Sequence, residues 1–171
     1  QWQRWDGQIF AAFERADLSE LRRYADLGFD LSQGNGALRA WLDVSQGQIT
    51  GVTADVAISE VALTLGTELQ TLALRQLQGR ISGRLLATGF ELATQSLAFD
   101  TPDGLHWPGG NFRLMLMNAE NKIPARGEFE ADRLDLAALT QILDRLPVRS
   151  DVREQLIHLA PRGQVEKLSA S

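Results

Sequence analysis

Two histidines, His106 and His158, and a scatter of aspartates are the side chains best suited to acid–base or metal chemistry in this chain. Asp100, Asp103 and His106 fall close enough in sequence to be drawn as a metal triad, yet Pro102-Asp103-Gly104 is a turn signature that accounts for Asp103 by itself. His158 has the spacing of a helix-face residue near a C-terminus, where a cation suits the helix dipole. Asp132 and Asp135 form a carboxylate pair, but Asp135 has the position of a helix cap. Gly34-x-Gly36 lacks the rest of a dinucleotide fingerprint and precedes a strand rather than a helix. Cysteine is absent, which removes disulfides, thiolate catalysis and Cys-based zinc sites together. A nucleophile, its base and an orienting group are not found together, so no catalytic centre, metal or cofactor is expected.

The elements that position these residues are mostly strands. Residues 7–15 alternate as a strand. Asp17 then reads as an N-cap with Glu20 three residues on, and Leu18, Leu21, Tyr24, Ala25 and Leu27 recur at helical spacing up to Gly28. After Gln33-Gly34-Asn35-Gly36 the period becomes that of a strand. Leu38, Ala40, Leu42 and Val44 share one face, Gln46-Gly47 is a turn, and Val52, Ala54, Val56 and Ile58 share the face of the next strand. Further strands are predicted at 61–65, 72–78, 80–87, 90–99, 112–117 and 127–133, with turns at Gly66, Gly79, Gly89 and 102–104. Asp135 caps a helix bearing Leu136, Leu139, Ile142, Leu143 and Leu146 and ended by Pro147. Ser150 caps a second, packed helix to Leu159, closed by Pro161 and Gly163, before another strand from Gly163. Strands in meander spacing without intervening helices predict antiparallel pairing, and the fold class is α+β.

The chain has 171 residues, 44% of them hydrophobic and 23% charged, with a formal net charge of −5. That length buries roughly 70% of the unfolded surface without metal or disulfide. The acidic balance and scattered arginines argue against nucleic-acid backbone binding, and no basic run is present to dock on anionic lipid. The longest apolar stretches, such as residues 61–65, fall far short of the ~18 residues of a membrane span. Because the chain starts at Gln1 it is expected to be an internal segment, with any targeting signal or anchor outside it.

Residues 13–21 and 131–139 share a layout: a strand running into Asp-Leu-x-x-Leu, followed later by Gly-x-(Leu or Val) at Gly36 and at Gly163. Common caps and leucine pairs produce such a match by coincidence. The other reading is an array of meanders joined by helical connections. The expected division is residues 1–35 as strand and helix of a preceding repeat, 36–133 as the meander, and 134–171 as helical connection and start of the next strand. Phe112-Arg113-Leu114-Met115-Leu116-Met117 is apolar on both sides of its pleat apart from Arg113, so its second face either lines a groove or is covered by core. Of the tryptophans, Trp2 and Trp5 lie near the start, while Trp41 and Trp107 fall at strand or strand-edge positions that suit a core.

Gly36-Ala37-Leu38-Arg39-Ala40-Trp41-Leu42-Asp43, Val52-Thr53-Ala54-Asp55-Val56-Ala57 and Leu74-Arg75-Gln76-Leu77-Gln78-Gly79-Arg80, taken in order, resemble the AsmA-like YhdP family of Gram-negative envelope proteins. So do Asp103-Gly104-Leu105-His106-Trp107-Pro108, Ala131-Asp132-Arg133-Leu134-Asp135-Leu136 and Leu159-Ala160-Pro161-Arg162-Gly163, so that the resemblance runs from about Gly7 to Leu168. It implies a strongly curved sheet of the β-taco or repeating β-groove kind, with helices at one end or face. It also implies a periplasmic setting within a long protein anchored in the inner membrane, and a part in phospholipid transport and outer-membrane permeability. The family carries no catalytic motif.

The leading expectation is therefore a lipid-transfer segment that shields phospholipid acyl chains between the membranes, with membrane contact only through parts outside it. Its groove candidates are the alternate apolar positions Leu38, Leu42, Val52, Val56, Leu72, Leu74, Phe90, Leu92, Leu114 and Leu116. The pattern leaves open which of them face a groove and which pack under helices. The competing expectation is an assembly module whose sheet edges pair with neighbouring repeats or partner proteins without lipid. An enzyme is the third reading, and activity dependent on His106 or Asp135 would mark it.

Overall fold

The computed structural model describes residues 5–23, 30–118, 126–146, 150–159 and 162–170. Among these residues nine strands form, most of them on a period-two alternation of apolar and polar residues: β1 (Gly7–Asp17), β2 (Asp30–Ser45), β3 (Gln48–Thr64), β4 (Leu72–Leu86), β5 (Gly89–Asp100), β6 (His106–Trp107), β7 (Phe112–Met117), β8 (Arg126–Asp135) and β9 (Gln164–Ala170). They make one open, curved antiparallel sheet in the order β1-β2-β3-β4-β5-β7-β8-β9, with β6 paired to β5. Among the described residues, helix is confined to a 3-10 segment at Leu18–Arg23, α1 (Leu136–Ile142) with a 3-10 extension at Leu143–Arg145, and α2 (Ser150–Leu159). The antiparallel meander is present, with a smaller helical share than an even α+β mixture.

β3 and β4 are longer than their sequence suggests. The breaks expected near residue 60 and at Gly79 are bulges inside continuous strands. Gly34 of β2 faces Glu60 and Val61, because the register passes from Asn35↔Ser59 to Gln33↔Ala62. Gly79 of β4 faces Ser96 and Leu97, because Gln78↔Ala98 is followed by Arg80↔Gln95. Glu60 and Ser96 take the left-handed conformation, with φ of 53° and 50°. Each bulge thus carries a left-handed residue and has a glycine across from it, which is why glycines that read as breaks lie within strands. Bulges of this kind increase twist and bend the strand. The first one also keeps Ile58 and Val61 in the same core cluster.

The Gln46-Gly47 turn forms as expected. Both residues have positive φ (52° and 74°), the condition for a two-residue hairpin whose twist matches its strands. The 102–104 turn also forms, with Gly104 N–H donating to Thr101 O. The run 33–36 lies inside β2, which starts at Asp30. Asp17 accepts from Ser19 N–H at 3.0 Å and Ser19 Oγ at 2.7 Å, and the helical turn there is 3-10 over Leu18–Arg23. Tyr24, Ala25, Leu27, Gly28, Pro147 and Pro161 lie outside the described residues.

Alternating strand directions place the hairpins 46–47 and 87–88 at one end of the sheet. The 3-10 segment, the 65–71 loop, the 101–105 turn and α1 lie at the other. The core is at this helical end. Leu18, Leu31, Ile58, Val61, Leu72, Leu74, Leu105, Ala138 and Ile142 form one buried cluster. Asp135 caps α1 by accepting from Ala138 N–H at 2.9 Å, and α1 then returns from the eighth strand to pack over β3 and β4. Among the described side chains of α2, Ile157, His158 and Leu159 are exposed and lie outside the core cluster.

Candidate apolar binding face

Cross-strand pairing gathers apolar side chains into rows that run across the strands. Ile9 pairs with Leu42, Leu42 with Val52, Val52 with Gly83, and Gly83 with Leu92. Leu92 pairs in turn with Leu114, Leu114 with Phe129, and Phe129 with Ala170. This row crosses all eight strands of the main path without one polar side chain, a distance of about 34 Å at ordinary strand spacing. A second row, Ala11-Ala40-Ala54-Ile81-Thr94, lies beside it. Phe112 N–H donates to Thr94 Oγ1 at 3.2 Å where that row passes to β7. Phe112 pairs with Ala131 and Ala131 with Leu168. Thr94, Phe112, Ala131 and Leu168 also line a cavity of about 530 Å³, together with Arg113, Glu130, Asp132 and Lys167.

The ten groove candidates occupy this face in two environments. Leu72 and Leu74 are 7% and 4% exposed and belong to the core under α1, while Leu38 and Val56 pack against its margin. Leu42, Leu92 and Leu114 are half-buried. Val52, Phe90 and Leu116 are 39%, 42% and 38% exposed, in company with Ile9, Phe13 and Leu85, which the sequence pattern did not single out. The Met115 side of β7 is not a second groove. Met115 lies between Glu91 and Glu128 in the register, on the polar face of the sheet.

That opposite face is held by polar pairs. Arg80 reaches Asp55 through Nε and Nη2 at 2.6 and 2.9 Å and lies 5.7 Å from the Trp41 ring centroid. Arg113 bonds Glu91 at 3.0 Å, and Gln8 bonds Asp43 at 2.8 Å. The Arg80 hydrogen bonds hold the Asp55 carboxyl below the usual carboxylate range, and Glu91 raises the Arg113 guanidinium. Phe10, at 5.2 Å from Trp41, is the exposed aromatic on this side. The two faces of the sheet thus have opposite character.

The chemistry-bearing residues disperse. His106 Nδ1 lies 2.5 Å from Asp100 Oδ1, while Asp103 turns to Thr101 Oγ1 and to Arg145 at 3.6 Å. Asp132 bonds Asn111, whose side-chain oxygen accepts from Ser96 N–H in the second bulge. Among the described residues, no three His, Cys, Asp or Glu side chains gather as a metal group. No helix there is long and apolar enough to cross a membrane. Trp107 stacks on Phe99 at 5.7 Å beside the core, and the Trp5 ring lies against Gly7.

No curated protein and no solved structure matches the chain. The sequence profile of one family, described as YhdP protein, matches residues 1–171. With the profile spanning every strand of the sheet, the chain belongs to the YhdP protein family.

Proposed function

We propose that this chain is a lipid-conducting segment of a periplasmic, inner-membrane-anchored envelope protein, and that its apolar face shields phospholipid acyl chains passing between the inner and outer membranes. The observation that carries the reading is the unbroken row from Ile9 to Ala170. Exposed apolar area of this extent on one side of a sheet calls for an apolar partner. Each CH₂ moved from water onto such a surface contributes about 0.8 kcal/mol. Neighbouring rungs of similar chemistry give similar affinity, so a chain can move sideways from strand to strand without a deep trap.

Native mass spectrometry after incubation with phospholipid vesicles tests the reading. The expected result is bound phospholipid that is lost in Leu116→Asp with little change in melting temperature, because Leu116 is partly exposed. Leu74→Asp is the contrasting variant. It places a charge in the core and is expected to unfold the chain. A wild-type chain that retains no phospholipid rejects the reading.

A second reading draws on the sheet edges. Among the described residues β1 and β9 each have one strand neighbour, and the alternation along the sheet gives them opposite directions. The β9 edge of one unit can therefore meet the β1 edge of another and continue both the antiparallel ladder and the apolar row. Under this reading, sedimentation shows mass increasing with concentration and no lipid.

A further inference from the structure

We propose that phospholipid on this face has a fixed polarity: its tails lie along the strands toward the helical end, and its polar group stays at the hairpin end. The inference rests on the lipid reading above and adds an orientation to it.

Exposure rises toward the hairpin end in β3, β4, β5 and β7, although Val44 of β2 stays 8% exposed there. At the helical end Leu18, Val61, Leu74, Leu105 and Ile142 are all between 3% and 7% exposed. At the hairpin end Ile49, Val52, Leu85, Phe90 and Leu116 are between 38% and 64% exposed. One end is sealed by the chain's own helices and the other is open, although both carry the same class of side chain.

An amphiphile distinguishes these ends. A polar group at the helical end would have to leave water among buried leucines, where an unpaired polar group costs several kcal/mol by ordinary transfer scales. Thr101 is the buried hydroxyl there, and it is already occupied, donating to Asp103 and accepting from Leu105 N–H at 3.0 Å. At the hairpin end hydrated polar groups stand beside the uncovered apolar side chains, with Gln46, Gln48 and Asn118 exposed. Length agrees as well. From Leu85 to Leu77 on β4 the strand spans about 26 Å. A tail that fills one leaflet of a ~30 Å hydrocarbon core needs about 15 Å. It fits between the open end and the core without displacing α1.

Two photoreactive phosphatidylcholines test the assignment, one with a diazirine at the end of an acyl chain and one with a diazirine in the headgroup. Each is loaded onto the chain, irradiated and mapped by peptide mass spectrometry. The expected result is tail-end adducts in mid-strand, around Val56 and Ile81, and headgroup adducts around Gln46, Thr88 and Asn118. Each label should prefer its own zone by about tenfold, an orientation preference of about 1.4 kcal/mol. Headgroup adducts spread evenly, or concentrated near Leu105 and Ile142, overturn the orientation and leave lipid binding standing. A folded chain that gives no adduct with either reagent overturns both.

Discussion

Asp55 ties two strands of the polar face together, since it sits on β3 and holds Arg80 of β4 with two hydrogen bonds. Three more carboxylates are lowered by local donors. Asp6 is lowered by Gln46 N–H and then the Ser45 hydroxyl, Asp17 by the Ser19 hydroxyl and N–H, and Asp103 chiefly by the Thr101 hydroxyl. The direction fixes the pH dependence. Each group has a folded value below its ordinary 3.8, so its contribution is fully present above that pH and is lost as pH falls through the lowered folded value. Urea midpoints are expected to show no loss from these groups at neutral pH and a progressive loss below about pH 4. Asp55→Asn should flatten part of that decline while lowering the neutral-pH midpoint. Parallel curves for the two proteins would remove Asp55 from the account. All four groups are accessible to solvent, so raising salt should weaken the ion-pair components, Asp55–Arg80 and to a lesser degree Asp103–Arg145, and leave Asp6 and Asp17 nearly unchanged.

The bulges are the elements that give β3 to β5 their shape, and Gly79 tests that claim. Its φ is +138°, and a Cβ there would lie 2.8 Å from Leu97 Cα, so Gly79→Ala must shift one strand against the other. The expected cost is at least about 1 kcal/mol, read as a lower urea midpoint. Gly104→Ala, strained at φ +94° but with open space around it, should show the backbone penalty without the steric one. Equal effects in the two variants would place Gly79 outside any close strand contact. These elements also show where sequence reading succeeds. Strand 112–117 is predicted with its observed ends, because its apolar run is bounded by Gly109-Gly110-Asn111 before it and Asn118 after it. The Asp135 cap was legible because capping is local chemistry between residues three apart. The continuity of β3 and β4 was not legible. Glu60 and Ser96 are not residue types that announce a left-handed backbone, and the glycines opposite them look like turns. Nor could the pattern separate Leu74 from Phe90, since both are apolar residues at alternate strand positions. What separates them is α1, which arrives from more than sixty residues later in the chain to cover one and not the other.

On the scale of the whole molecule, the core lies off-centre and protection should follow it. β3 and β4 have partners on both sides and carry Ile58, Val61, Leu72 and Leu74 into the cluster under α1. β1 and β9 are edges among the described residues, and most of their side chains are exposed. Local opening needs the least burial to be given up at those edges and at the hairpin end, and the most around Val61 and Leu74. Hydrogen exchange is therefore expected to be slowest in β3 and β4 near the helical end, faster in the same strands toward 46–47 and 87–88, and fastest in β1 and β9. Adding phospholipid separates a core effect from a face effect. Tails lying along the strands should slow exchange most in the half of β3 to β5 nearest the hairpins, where apolar area is uncovered, and change little around Leu74, which α1 already covers. Uniform slowing over the whole sheet would instead indicate that lipid raises global stability without occupying the open half. Slowing confined to β1 and β9 would indicate pairing between sheet edges, and the apolar row would then belong to assembly rather than to a bound tail.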